Sequence, residues 1–359
     1  MRTVSPFSGL CAEALNPELL RSIHVDRDDE LKQCVDALFS RSENILIYGT
    51  RGVGKTFLVR LLLEEIKSHF NDTVPVFVNL TGLLAYGTRE IASAFPNAVL
   101  LEICRTIWVD VMGKSYSKLR NSLSETGSEI KLRKKGEKKV AEIYRLLMTS
   151  ARRTRFSQLS SFGVSAILKG NIQENMQKEW SEIDVLPFEF FEFVEEIKKE
   201  SLHPYRKERI IAICDEANKL PIFQQADILE RYLELFAAKQ VLFVFVAGYR
   251  FDEKIGALPS GFQNILELRG FREKRYVKEL IDKHTSKVDF SFLDSAIDIV
   301  WEAVKGHPSF TLTACNYAYQ RSILDGLDKV DDKIMAMSCM RLLRELEENR
   351  RRRNDTAIV

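Results

Sequence analysis

Eight consecutive residues carry the clearest chemical pattern in the chain. Gly49-Thr50-Arg51-Gly52-Val53-Gly54-Lys55-Thr56 matches the phosphate-loop pattern G-x-x-x-x-G-K-[ST]. In this pattern the glycines let backbone N–H groups turn inward around an anion, the lysine reaches the β- and γ-phosphates, and the threonine hydroxyl ligates Mg²⁺. The sequence therefore predicts that these eight residues bind the phosphates of a nucleoside triphosphate. We expect the Lys55 side chain to be exposed to the loop.

The residues on either side of the loop predict the elements that this chemistry needs. Ile45-Leu46-Ile47-Tyr48 is a short apolar run, typical of a strand buried on both faces. After the loop, apolar residues recur at helical spacing from Phe57, which we also place at the nucleotide. A helix beginning here adds the free N–H groups of its first turn. A glycine-rich turn without function is the alternative, and both flanks argue against it.

A second apolar run ends in two carboxylates. Arg209-Ile-Ile-Ala-Ile-Cys-Asp215-Glu216 predicts a buried strand that places Asp215 and Glu216 at the carboxyl edge of a parallel sheet. Downstream of a phosphate loop, this pattern predicts that Asp215 holds Mg²⁺ through water and that Glu216 polarises the attacking water.

The apolar run Val241–Ala247 precedes Gly248-Tyr249-Arg250. Arg250, or less favourably Tyr249, is a candidate to touch the γ-phosphate, and a surface arginine is the equal alternative.

Length and composition limit the class of protein. The chain has 359 residues, of which 45% are apolar and 29% charged, as in globular proteins of about two domains. No apolar run approaches the roughly 20 residues of a membrane span, and the N-terminus lacks the apolar core of a signal peptide. Six scattered cysteines without a C-x-x-C pair predict reduced thiols in a cytoplasm and argue against zinc or disulfides.

The stretch 113–155 differs from the rest in charge. It has thirteen basic residues and only Glu125, Glu129, Glu137 and Glu142 as acidic ones, a net charge of +9, whereas the whole chain carries only +2. Such a stretch is either a solvated, mobile face or a site for an anionic partner such as DNA. Aromatic residues are sparse in it, so base stacking is not indicated.

The order of patterns predicts the domains. We expect an N-terminal arm and helix (1–43), a nucleotide-binding domain (44–270) with an elaboration at about 114–185, a helical region (271–350) and a basic tail (351–359). Within these we predict a helix over 88–112 with an irregularity at Pro96, a hairpin over 156–170, and only helices after residue 272.

Four stretches together resemble the AAA+/STAND group of P-loop ATPases, close to the archaeal-type and replication-initiator ATPases. They are Val25-Asp26-Arg27-Asp28-Asp29-Glu30-Leu31, the phosphate loop, Cys214-Asp215-Glu216 and Gly306-His307-Pro308. The resemblance covers 23–110 and 206–325. It implies an α/β fold, in which a parallel P-loop ATPase sheet flanked by helices is followed by a small all-helical lid.

The resemblance also implies roles for further residues. Val25 and Arg27 would lie against the adenine of ATP, and Pro308 would close the base pocket from the lid. His307 occupies the region where AAA+ relatives carry a sensor arginine, and no arginine follows Gly306 in the first turn, which implies slow hydrolysis. Arg250 and Arg269 are candidates for an arginine finger supplied by a neighbouring subunit of a homo-oligomer.

Three hypotheses for function follow. The first is a cytoplasmic ATP-dependent switch that binds ATP or ADP with Mg²⁺ and acts with a protein partner, in mobile-element or phage-defence biology. The second is a nucleic-acid-dependent ATPase, similar to transposition regulators or initiators, that binds DNA through 114–155. The third is a small-molecule kinase, which the water-activating Asp-Glu pair disfavours.

Overall fold

Five strands form a parallel sheet, with the order β2-β3-β4-β1-β5. Most of their residues are apolar and buried, as strands covered on both faces require. The computed structural model describes residues 5–7, 17–86, 91–92, 94–121, 135–153, 187–248 and 261–356. The strands are β1 (Ile45–Gly49), β2 (Thr73–Asn79), β3 (Arg209–Asp215), β4 (Leu242–Val246) and β5 (Asn264–Leu268).

β3, the strand that ends in Asp215, lies between β2 and β4. β4 pairs in parallel with β1 on one side and with β3 on the other. In the register of β2 and β3, Asn79 lies opposite Asp215, and both are the last residues of their strands. Asp215 and Glu216 therefore emerge at the carboxyl edge of the sheet, as the pattern predicted.

The helices before β5 differ from the sequence prediction mainly at their ends. The helix predicted over 88–112 begins at Phe95, and Pro96 lies in its first turn, where a missing N–H is tolerated. The predicted interior irregularity at Pro96 was therefore wrong. The helices are α1 (Pro17–Ser22), α2 (Asp28–Val35), α3 (Lys55–His69), α4 (Phe95–Thr106), α5 (Tyr116–Asn121), α6 (Lys135–Arg153), α7 (Pro187–Ile197), α8 (Ile222–Arg231) and α9 (Leu233–Ala237).

After β5 the chain is helical, as predicted, with one addition. Strands β6 (Ser291–Phe292) and β7 (Lys329–Val330) form a short parallel pair. Two-residue strands are too short to show alternation, so the sequence pattern could not reveal them. The helices here are α10 (Lys274–Thr285), α11 (Asp294–Val304), α12 (Pro308–Leu324) and α13 (Asp332–Thr356).

The chain forms two compact units. One consists of Gln33–Tyr48 and Leu62–Leu266, with a core in which the Phe95 ring lies near those of Phe236, Phe243 and Phe245. The other consists of Met1–Lys32, Gly49–Leu61 and Glu267–Val359, and its separate core includes Val25 and Phe271. The phosphate loop thus belongs to the same compact unit as the C-terminal helices. The predicted domain boundaries stay a prediction.

Other sequence predictions meet the structure only in part. None of the described helices has both the length and the apolarity to cross a membrane. Five cysteines are free and buried: Cys34, Cys104, Cys214, Cys315 and Cys339. The sixth, Cys11, the predicted hairpin over 156–170, and residues 122–134 of the basic stretch lie outside the described residues.

Candidate functional site

The backbone of the phosphate loop takes conformations that its glycines permit. Gly52 has a φ of +81°, and a Cβ atom there would lie 2.6 Å from the Cβ atom of Ser309. At Gly49 a Cβ atom would lie 2.3 Å from the carbonyl oxygen of Leu268. Both contacts are too short for a side chain, so these positions need glycine because the Leu268 backbone approaches Gly49 and the Ser309 side chain approaches Gly52.

The Lys55 ammonium group is held by the loop itself. Nζ donates to the carbonyl oxygens of Gly49 at 2.7 Å and of Thr50 at 2.9 Å, and the residue is only 7% exposed. The expectation of an exposed Lys55 was therefore wrong, because the loop curls around the amine and engages it. The carbonyl oxygens of Gly49 and Thr50 therefore hold the ammonium group against the loop backbone.

The helix that follows the loop supplies further donors. α3 begins at Lys55, and its first hydrogen bond into the loop runs from the N–H of Leu58 to the carbonyl oxygen of Gly54 at 2.9 Å. The N–H groups that precede Leu58 in this turn have no carbonyl one turn earlier in the helix. Amide N–H groups, an ammonium group and the Thr56 hydroxyl are a donor set that fits a polyphosphate.

Arg27 contacts the loop through its guanidinium group. Nη2 donates to the carbonyl oxygens of Val53 at 3.2 Å and of Arg269 at 2.5 Å, and Nη1 donates to Glu30 Oε1 at 3.1 Å. Val25, two residues earlier, is buried in the core formed with the C-terminal helices. Phe57 lies beside this segment, with its ring centroid 6.1 Å from that of His24.

His307 joins the start of α12 to the loop. Its Nδ1 accepts from the N–H of Phe310 at 3.4 Å, so Nε2 carries the proton of the neutral ring and donates to Thr50 Oγ1 at 3.4 Å. Burial lowers the pKa of His307, and the charge of Lys55 lowers it further. Pro308 occupies the first helical position, where its missing N–H costs nothing.

Asp215 and Glu216 lie in the other compact unit, at the end of β3. Asp215 is 1% exposed, and its Oδ1 accepts from the N–H of Glu216 at 2.7 Å. Glu216 takes a left-handed conformation (φ +67°), which is uncommon for a residue with a side chain. Its Oε2 forms an ion pair with Lys219 Nζ at 2.8 Å. Arg250 and Tyr249 lie outside the described residues.

The structure therefore brings most predicted residues together around the loop. Val25, Arg27, the loop, Phe57, His307 and Pro308 share one compact unit, whereas Asp215 and Glu216 belong to the other. The sequence analysis missed Glu30 and Lys219 as partners of site residues. Both follow their partners by three residues, but Arg27 and Glu216 have left-handed backbone conformations, so the helical i,i+3 spacing does not predict these pairs.

Among the described residues, no three His, Cys, Asp or Glu side chains are grouped as a metal site. A Mg²⁺ ion bound with a nucleotide does not need such a group, because water and phosphate oxygens fill most of its six positions. Thr56 carries a hydroxyl and Asp215 a carboxylate, oxygen groups of the kind that Mg²⁺ binds.

No protein-family model and no curated protein matches the sequence. Solved structures are similar. The ORC2 protein of Aeropyrum pernix in its ADP form has 14% identity, a TM-score of 0.44, and coverage of 90% of this chain and 72% of that chain. The Thermotoga maritima RuvB Holliday junction branch migration motor has 14% identity, a TM-score of 0.39, and coverage of 91% and 69%. Drosophila ORC bound to DNA has 13% identity, a TM-score of 0.43, and coverage of 94% and 68%.

Proposed function

We propose that the chain binds and hydrolyses ATP and acts as a switch of the AAA+/STAND type. The observation that carries this proposal is the geometry of the loop. Lys55 is buried and bonded to two loop carbonyls, and α3 begins at the same residue, so an ammonium group and the free N–H groups of a helix N-terminus occur in one short segment. This arrangement favours a bound polyphosphate over any uncharged ligand.

The proposed roles at the phosphates follow from the donor set. N–H groups of the loop and the first turn of α3 hold phosphate oxygens, and Lys55 neutralises the charge at the β- and γ-phosphates. Mg²⁺, when bound, would neutralise charge on the same oxygens, with the Thr56 hydroxyl and, through water, Asp215 as proposed ligands. Arg250 stays the proposed contact to the γ-phosphate.

Glu216 is the proposed base that accepts a proton from the attacking water. A carboxylate at the end of a buried strand is suited to this task. Its ion pair with Lys219 occupies one of its two oxygens, Oε2. A Glu216 that is paired with Lys219 is held away from free rotation toward water, and we propose that turnover is slow.

We propose that Val25, His307 and Pro308 line the adenine site and that 271–350 act as the lid. The support is local: His307 and Ser309 at the start of α12 each bond to the loop. A lid that contacts the phosphate-binding backbone directly can adopt different positions with ATP and with ADP, which is how a switch signals the γ-phosphate. Arg269, a candidate finger for a homo-oligomer, pairs with Glu267.

We favour a protein partner over DNA. In the described part of the basic stretch, Lys114 pairs with Glu137, Lys135 with Glu200, and Lys139 with Glu142 and Glu196. Lysines held by carboxylates contribute less to phosphate neutralisation than the net charge of +9 implies. DNA binding through 114–155 stays the alternative, and the biological setting stays the one proposed from the sequence.

Displacement of a labelled nucleotide tests the proposed binding function. Fluorescent ATP bound to the protein should be displaced by ATP, by ADP and by inorganic tripolyphosphate, but not by adenosine. Displacement by adenosine alone would contradict a site organised around phosphates. Absence of any binding in the presence of Mg²⁺ would contradict the proposal as a whole.

A further inference from the structure

Arg27 is buried at the junction of three chain segments. Its side chain is only 5% exposed, yet it carries a positive charge next to the loop that we propose binds phosphates. Nη2 has two hydrogens, and the two carbonyl oxygens of Val53 and Arg269 accept from it. The guanidinium carbon lies 5.5 Å from the ring centroid of Phe271. Arg27 thus connects the loop to the linker 269–271.

The backbone leading to Arg27 is held in an uncommon conformation. Asp26 and Arg27 have φ values of +57° and +85°, in the left-handed region that side chains disfavour. Such conformations persist where surrounding contacts determine them. Here the guanidinium contacts with Val53 and Arg269 are the ones that aim this segment at the loop.

The linker is in turn bonded to the start of the α12 segment. The N–H of Phe271 donates to the carbonyl oxygen of Gly306 at 2.8 Å. Three residues later, the N–H of Ser309 donates to the carbonyl oxygen of Gly52 at 3.3 Å. The loop, Arg27, the linker and the 306–309 segment therefore form a closed ring of contacts within one compact unit.

The charge of Arg27 is compensated by a neighbouring carboxylate. Glu30, with a side chain 14% exposed, lies 3.1 Å from Nη1, so the two side chains form a largely buried ion pair. Because the carboxylate compensates the guanidinium group, the pair adds little field at the loop. Its contribution is geometric: a planar group with fixed donors that holds two carbonyls in one arrangement.

We propose that Arg27 is a positioning residue for the phosphate loop, which it fixes to the linker 269–271 and thereby to the start of α12. This inference rests on the proposed nucleotide binding and replaces the predicted adenine contact of Arg27. The loop and the lid then respond as one body, and phosphate affinity depends on Arg27 although it touches no phosphate.

The test compares ATP with inorganic tripolyphosphate, a ligand that has no base. Dissociation constants for ATP and for inorganic tripolyphosphate, both with Mg²⁺, are measured for the wild type, Arg27→Met and Arg27→Lys. Arg275→Met is the matched control, since Arg275 is an exposed arginine of the same unit paired with Glu273. A positioning role predicts that Arg27→Met weakens both ligands by the same factor, about tenfold or more. Arg275→Met should leave both unchanged.

Arg27→Lys separates geometry from charge and also guards against misfolding. It keeps the stem and the charge but not the planar fork, so we expect it to fold and still to lose most of the affinity. If Arg27→Met weakens only the binding of ATP, Arg27 contacts the adenine. Full affinity of Arg27→Lys for both ligands would show that only the charge matters. Unchanged affinity of Arg27→Met would show that the side chain serves packing alone. Each of these results overturns the proposal.

A ligand-free measurement distinguishes this inference from the proposed function. Hydrogen exchange at the amides of Phe271 and Ser309 should be faster in Arg27→Met than in the wild type and unchanged in Arg275→Met. Unchanged exchange in Arg27→Met overturns the inference even if nucleotides bind. If the wild type binds neither ligand, the proposed function fails, and exchange alone decides whether Arg27 holds the loop to the linker.

Discussion

The N–H of Ser309 donates to the carbonyl oxygen of Gly52 at 3.3 Å, and the first turn of α12 therefore lies directly on the phosphate loop. The two residues are so close that no side chain fits at Gly52. The loop that we propose binds phosphates and the first turn of α12 thus share one hydrogen bond. Movement of this helix would therefore act on the loop backbone without an intervening side chain.

Gly52→Ala should weaken nucleotide binding and destabilise the fold by about 1–3 kcal/mol, since it combines a positive φ with contact against Ser309. Ser309→Gly in the same chain should restore part of this loss, because the new Cβ atom then meets less. Gly54→Ala is the matched control for the backbone conformation. Gly54 also has a positive φ, +103°, but a Cβ atom there meets nothing within 4 Å, so this variant lacks the contact. If Gly52→Ala lowers the free energy of unfolding by denaturant equally with and without Ser309→Gly, the proposed contact with Ser309 is contradicted.

His307 predicts a pH dependence of stability. Burial lowers its pKa, with Lys55 adding to the effect. The folded state therefore binds fewer protons than the unfolded state at pH values below the ordinary histidine pKa of about 6.5. The stability that the neutral His307 ring contributes is therefore fully present above about pH 6.5 and is lost as the pH falls below that value. Burial also lowers the pKa of His284.

His307→Asn should therefore lose less stability than the wild type between about pH 7.5 and about pH 5.5. Asparagine still caps α12, so the fold at neutral pH is retained. The free energy of unfolding by urea is the measurement. Exposed His203 provides the control, and His203→Asn should behave like the wild type. An equal drop for His307→Asn and the wild type would exclude His307 as the group involved.

Glu216→Gln should keep ATP bound and reduce turnover by about 10²-fold or more, because the attacking water loses its base. Glu230→Gln, at an exposed position of α8, is the matched control and should leave turnover unchanged. Phosphate release under single-turnover conditions is the measurement. Unchanged turnover would remove Glu216 from the mechanism, and a wild type that binds ATP without hydrolysing it would be a switch driven by binding alone.

The salt dependence of DNA binding distinguishes the two partner hypotheses. If 114–155 bind duplex DNA with six phosphate contacts, the log–log slope of affinity against salt should be roughly −5. The ion pairs of Lys135 and Lys139 predict a shallower slope and weak binding. Serine at both positions should then change little. A steep slope that Lys135→Ser and Lys139→Ser flatten would instead favour the nucleic-acid-dependent ATPase.

The parts of the site that follow one another in the chain could be predicted from the sequence. The strand, glycine loop and helix around Lys55 are local, and an apolar run ending in Asp215 indicates the edge of a parallel sheet. The missed features join distant segments. Nothing in the sequence shows that Arg27 would bond to Val53 and Arg269, since two left-handed residues set its direction. The burial of Lys55 likewise depends on how tightly the loop closes.

The most direct test of the central claim is ATP binding by Lys55→Ala. The control is Lys67→Ala, which removes an exposed lysine from the same helix. Calorimetric titration with Mg²⁺-ATP should show binding by the wild type and by Lys67→Ala, and none by Lys55→Ala with an unchanged circular dichroism spectrum. ATP binding by a folded Lys55→Ala protein with wild-type affinity would contradict the account.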